Sequence, residues 1–213
     1  MNLFSNTALK KRALKKTAIA IAEGDLSLLK KQLGKIQSEQ LNSPLFEHQG
    51  GYISAAELAI VNQQAKALEH LLQSGCSTEY RSSDQPLLYL ALQQKQSLAL
   101  LTVLLQQNSP TRFAGLEISS AEFACFRYCP AASLMLHLSR LVEYGGELNQ
   151  VNQEGHSLLL LALATEQQSL LQFMINSGAE IPHEIADNWC SNEIVSYAKR
   201  CADDLRIRQM MLG

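Results

Sequence analysis

The sequence has no apolar run long enough to cross a bilayer. Its longest, "SLLLLALA" from Ser157, is interrupted by polar residues well short of the roughly 20 positions a spanning helix needs. A secretory leader is not seen either. The opening "MNLFSNTALKKRALKKTAIAIAEGD" has a basic stretch and a few small apolar residues, but Glu23 and Asp25 end the run too soon. A cytoplasmic chain is expected, or one exported by a route that leaves no such mark.

Recognisable catalytic patterns are missing as well. There is no G-x-S-x-G, H-E-x-x-H, phosphate loop or dinucleotide fingerprint. The five histidines, His48, His70, His137, His156 and His183, are dispersed, as surface or satisfied core imidazoles are. Five cysteines are an odd, scattered set and too sparse to staple a small fold, so reduced thiols are expected. Cys125, Cys129 and His137 could be imagined as metal ligands, but no second ligand pair accompanies them, and no metal or cofactor is expected. The single tryptophan, Trp189, reads as a core plug near the last junction.

What is present is a repeat. "ISAAELA" at Ile53, "QPLLYLA" at Gln85, "ISSAEFA" at Ile118 and "HSLLLLA" at His156 each end on alanine. Ala59, Ala91, Ala124 and Ala162 are separated by 32, 33 and 38 residues. A second landmark keeps step: Gly75 and Gly178 each lie 16 residues beyond their alanine, while Gly145 lies 21 beyond Ala124. One five-residue insertion, in "RYCPA", explains both the long period and the late glycine.

Each unit reads as two short helices. In "SAAELAIVNQQAKALEHLLQSG" the apolar residues recur at three and four, one stripe per helix. The glycine after "LLQS" suits the left-handed turn at a helix end, and Asn108 is the next-best residue for that position. Ser119 with Glu122 has the form of a capping box that would start the third unit's first helix. Pro130 suits the first turn of its second helix. The closing alanines are expected where neighbouring helices approach closely.

These motifs resemble the ankyrin repeat family. Its G-x-T-P-L-H-x-A and later L-L…G are matched by "GHSLLLLA" from Gly155 and "LLQFMINSGAEI", with Ser157 standing for the threonine. "DQPLLYLA" from Asp84 and "YISAAELA" from Tyr52 match more loosely. No unit has the full T-P-L-H, and the family's interhelical glycine is replaced by Gln63, Lys95 and Glu166. The resemblance implies an all-α, ankyrin-like solenoid of about five helix-turn-helix units with helical caps. Residues 1–50 would hold basic capping helices and a degenerate first repeat with Gly24 and Asp25 at its turn, 51–187 the repeats, and 188–213 a closing helix.

The resemblance further implies a non-catalytic module that binds an as yet unidentified protein through its concave face and inter-repeat turns, as a monomer. The family's concave histidine position falls on Glu57, Tyr89, Glu122 and Leu160. With these, Tyr80, Arg81, Arg112, Arg127, Tyr128 and His156 are candidate contacts, since dried aromatic and arginine side chains carry much of an interface's energy. A secreted microbial effector or regulator using the same face on a host protein is the alternative within this class.

Charge offers a competing class. The first 35 residues carry eight lysines and arginines against Glu23 and Asp25, so with a whole-chain charge of −2 the remainder carries −8. Clustered lysines gain by counterion release on a phosphate backbone. Only Phe4 is near enough to stack on bases and no base-reading motif occurs, so nucleic acid is the weaker expectation. The simpler reading is a capping helix with Leu14, Ala18 and Ile21 inward and its lysines in solvent.

Overall fold

The computed structural model describes residues 3–79, 82, 85–182, 184–186 and 188–212, with side chains from residue 11 onward. Contacts divide the chain into two compact units, Met1–Phe113 and Ala114–Gly213.

The first unit holds three helix pairs. They are α1 (Leu3–Glu23) with α2 (Leu26–Leu33), α4 (Ala55–Val61) with α5 (Ala65–Gln73), and α6 (Leu87–Leu92) with α7 (Ser97–Gln106). A short α3 (Ser38–Leu41) and a hairpin of β1 (Phe46–His48) and β2 (Gly51–Ile53) separate the first pair from the second. First helices pack on first helices, α1 on α4 and α4 on α6, and second on second, α2 on α5 and α5 on α7. This is what stripes at three and four dictate, because each helix has one face to bury and a neighbour offering the same kind of face.

The second unit repeats the plan with α8 (Ala121–Tyr128) and α9 (Ala131–Glu143), then α10 (Leu158–Ala164) and α11 (Gln168–Asn176). There α8 packs on α10, α9 on α11, and the long α12 (Asn192–Leu212) closes against α11. Ile194 and Ala198 of α12 are buried, whereas Ile207, Met210, Met211 and Leu212 are exposed. The expected fold class and number of units are thus observed.

The landmarks do what their chemistry requires. Ala59, Ala91, Ala124 and Ala162 are all 0 % exposed, and Ala20 at 0 % marks the same slot in α1, four residues before Gly24 as Ala59 is before Gln63. A methyl is the largest group that slot admits without overpacking. Gly75, Gly145 and Gly178 turn at φ +98°, +84° and +95°, and Asn108 does so at +55°. Asp25 caps α2, accepting from the Leu28 amide at 2.9 Å, and Ser157 caps α10, accepting from Leu160 at 3.1 Å.

Three local expectations need correction. α8 is capped by Ser120, not Ser119, and no cap bond forms; the helix starts a residue late, so Glu122 falls second rather than third and cannot reach back. The capping box sits instead at Ser54 and Glu57 of α4. Pro130 is the residue before α9's first turn, not within it. Trp189 is half-buried rather than a core plug.

The insertion lengthens helices and makes no loop. Relative to α4 and α5, α8 runs two residues further past its alanine and α9 begins four earlier, with one fewer residue between the two. These changes account for all five residues.

Candidate functional site

In the first unit the described backbone builds one projecting hairpin. The β1–β2 hairpin turns on Gln49 and Gly50, both at positive φ (48° and 81°), the geometry that matches strand twist. Phe46, 2 % exposed, fixes its base, and Tyr52, 63 % exposed, is displayed on the second strand. Beyond α5 the chain passes Ser82, which is tied down by Glu57. That buried carboxylate accepts the Ser54 amide at 2.8 Å, the Ser82 amide at 3.1 Å and the Ser82 hydroxyl. Burial pushes the Glu57 carboxyl upward, but the Ser82 and Ser54 hydrogen bonds outweigh it and hold it below the ordinary value.

Of the candidate contacts here, Glu57 is thus engaged internally. Tyr89 is 9 % exposed and meets Phe113 edge to face, centroids 5.4 Å apart at 87°. Arg112 is exposed. Tyr80 and Arg81 lie outside the described residues. In α1, Arg12 and Lys11, Lys15 and Lys16 are exposed while Ile21 is buried and Leu14 and Ala18 are half-buried.

In the second unit Arg127 and Tyr128 are exposed at the end of α8. Glu122 is buried at 2 %, and its Oε2, like the Ser120 hydroxyl, has no hydrogen-bond partner among the described residues. Its other oxygen lies over Gly146, where an added Cβ would come within 2.7 Å of it. The loop before α10 folds on Asn152, whose Oδ1 accepts the Glu154 and His156 amides at 3.0 and 2.8 Å. A bridge between Val151 and Ser157 closes it, with Val151 61 % exposed. His156 lies 4.6 Å from the Trp189 ring and 3.1 Å from a Glu154 oxygen, and the indole donates to the Leu160 carbonyl at 2.8 Å. Leu160 is half-buried.

Several participants carry no local sequence signal. Asn42 donates to the Gly75 carbonyl at 3.2 Å and accepts the Ser77 amide at 2.8 Å. Asn149 does the same to Gly178 and Glu180, at 2.9 Å in both directions. Each asparagine clamps the glycine turn of the following repeat. Gln63 and Glu166, in the glycine's place, adopt φ of 58° and 54° and also reach forward: Gln63 Oε1 accepts the Gln96 amide at 3.1 Å and Glu166 Oε1 the Ser191 amide at 3.0 Å. Tyr52 could have been found, since "HQGG" before it is a turn signal.

No protein-family model matches the sequence, and no curated protein does either. Among solved structures, the ankyrin repeat domain of Bcl-3, a member of the IkappaB protein family, is similar over 89 % of this chain and 85 % of that one. The TM-score is 0.63 and the identity 17 %. The fold is that of an ankyrin repeat domain. The hairpin and the loop at 147–157 therefore stand where an ankyrin repeat turns from one helix pair to the next. No helix among the described residues is long and apolar enough to cross a membrane, and no group of three or more His, Cys, Asp or Glu among them is placed to hold a metal ion.

Proposed function

We propose that this chain is a non-catalytic ankyrin-repeat module that binds a partner protein through its inter-repeat projections. The observation that carries this reading is the display of Tyr52 and Val151, each more than 60 % exposed, on backbone held by a turn and a cross-strand pair. Rigid display of apolar groups lowers the entropic cost of drying them against a partner. Arg112, Arg127 and Tyr128 in the described residues, and Tyr80 and Arg81 by their place in the repeat, would supply the polar and aromatic rim. Glu57 supports the Ser82 turn from within, Glu122 and Tyr89 are buried packing groups, and His156 acts with Trp189 as a half-buried wall.

The test is co-purification at physiological salt, wild type against a Tyr52→Ala, Val151→Ser double variant of unchanged helicity. Loss of a specific protein by the variant supports this reading; equal recovery by both chains overturns it.

The exposed Lys11, Arg12, Lys15 and Lys16 of α1 favour a second reading, an electrostatic binder of nucleic acid. Affinity on that basis falls steeply between low and physiological salt, whereas contacts through Tyr52 and Val151 tolerate the change.

A further inference from the structure

The α8–α9 junction gathers three side chains that no part of the binding surface uses. Cys125, in α8, is 0 % exposed; Cys129, the residue after Tyr128 that ends the helix, is half-buried; His137, in α9, is 2 % exposed. The four-residue spacing puts both thiols on one side of α8, and the Cys129 amide still closes the last turn on the Cys125 carbonyl at 2.9 Å. Cys129 itself is extended (φ −81°, ψ 139°), and its thiol is hydrogen-bonded to both Cys125 and His137. His137 Nδ1 is fixed 2.7 Å from the Ser133 carbonyl, which sets Nδ1 as the donor and leaves Nε2 for the sulfur.

We propose that Cys129 is a reactive thiol activated by His137, and the site of reversible oxidation to a Cys125–Cys129 disulfide. A thiol paired with an oriented imidazole, partly open to solvent and backed by a second thiol in contact, has the parts such a site requires.

The titration directions fit that arrangement. Burial works against an imidazolium at His137, but the hydrogen bonds with Cys129 and Ser133 turn the net direction upward. Cys125 is pushed well up, first by its hydrogen bond with Cys129 and then by burial, so it is held as the thiol. The buried Glu122 carboxylate adds to the upward push on Cys125, and Arg127 is the cation on the same helix. The helices packed on this pair, α10 ("LLLLALA") and α11 ("QSLLQFMIN"), bring no titratable side chain.

The chemistry needs an oxidant, a hydroperoxide. Cys129 Sγ attacks its terminal oxygen, the O–O bond breaks, and the alcohol leaves with the imidazolium's proton. The Cys125 thiol then attacks the sulfenic sulfur, the S–O bond breaks, and hydroxide departs as water with the Cys125 proton. Two thiols lose two electrons and one peroxide is reduced. Arg127 and Tyr128 lie inside the small ring so formed, and the sulfur's hold on His137 is lost. Oxidation would therefore alter the segment that carries two of the exposed contact candidates.

Trypsin cleaves after Arg127, between the two cysteines, so a disulfide would keep peptides 113–127 and 128–140 together. The full chain is treated with hydrogen peroxide, blocked, digested and read by mass spectrometry. The linked pair is expected, lost on reduction and absent from Cys125→Ser, with His137→Gln slowing its formation about tenfold. Failure of this pair to form ahead of links to Cys76, Cys190 or Cys201, or an unchanged rate in His137→Gln, overturns the proposal. Because His137 is buried, the pH profile of Cys129 alkylation in the wild type is a second readout. A midpoint below the roughly 8.5 of a free thiol supports the site, and one at or above it overturns it.

Discussion

The heptads "ISAAELA" and "ISSAEFA" begin equivalent helices in the two units, yet their glutamates do different things. Glu57 closes a capping box and holds the following loop at Ser82. Glu122, one position nearer its helix start, forms no box, and its buried Oε2 has no partner among the described residues. In the position equivalent to Ser82 the second unit has Asn152, which bonds its own loop instead. A sequence motif can thus be kept for packing while its polar member changes from a strut to a buried group that ties down no loop. What both heptads share is the small closing residue; what differs is set by where the helix starts.

The largest expected effect falls on the shared part. Ala59→Leu and Ala124→Leu should each destabilise by about 1–3 kcal/mol or more, because neither slot has room. Denaturant unfolding of the two variants would check this, and a cost in one alone would break the equivalence of the two helices. The asparagine clamps give a second symmetrical pair. Asn42→Ala and Asn149→Ala remove two hydrogen bonds each and should cost about 1–2 kcal/mol apiece in the same assay.

The difference between the units should appear as opposite dependences on pH. Glu57 is held below its reference value of 4.5, so its contribution is complete above that value and is lost as pH falls through the lower folded one. His137 is held above 6.5, so its contribution is complete below that value and is lost as pH rises through the folded one. Thermal melts against pH should therefore lose an acid-side slope in Glu57→Gln and an alkaline-side slope in His137→Gln. The same slope in both variants would show that the two groups are not the origin.

The packing was legible in the sequence because it is periodic. The alanine slot, the left-handed glycines and the five-residue insertion are all counting problems, and Ala59, Gly75 and Gly145 stand where the count puts them. The polar connections were not legible. Asn42 and Gln63 reach partners 33 or more residues further on, across a repeat boundary that no local pattern announces. The role of Glu57 likewise depends on Ser82 arriving from the next turn. The family's histidine position led to Glu57 and Glu122 as contacts, but a carboxylate that caps or packs at a helix start is drawn inward. The thiol and imidazole at the α8–α9 junction could be seen together in the sequence, though their contact depends on α9 folding back on α8.

The most direct test is the amide exchange of Ser82 in Glu57→Gln, set beside that of Asn152 to His156 in Glu122→Gln. If one heptad anchors its loop and the other does not, the Ser82 amide should exchange about tenfold faster or more, as loss of roughly 1.4 kcal/mol of local protection implies, while the second loop stays unchanged. Equal acceleration in both loops, or none at Ser82, would contradict the account.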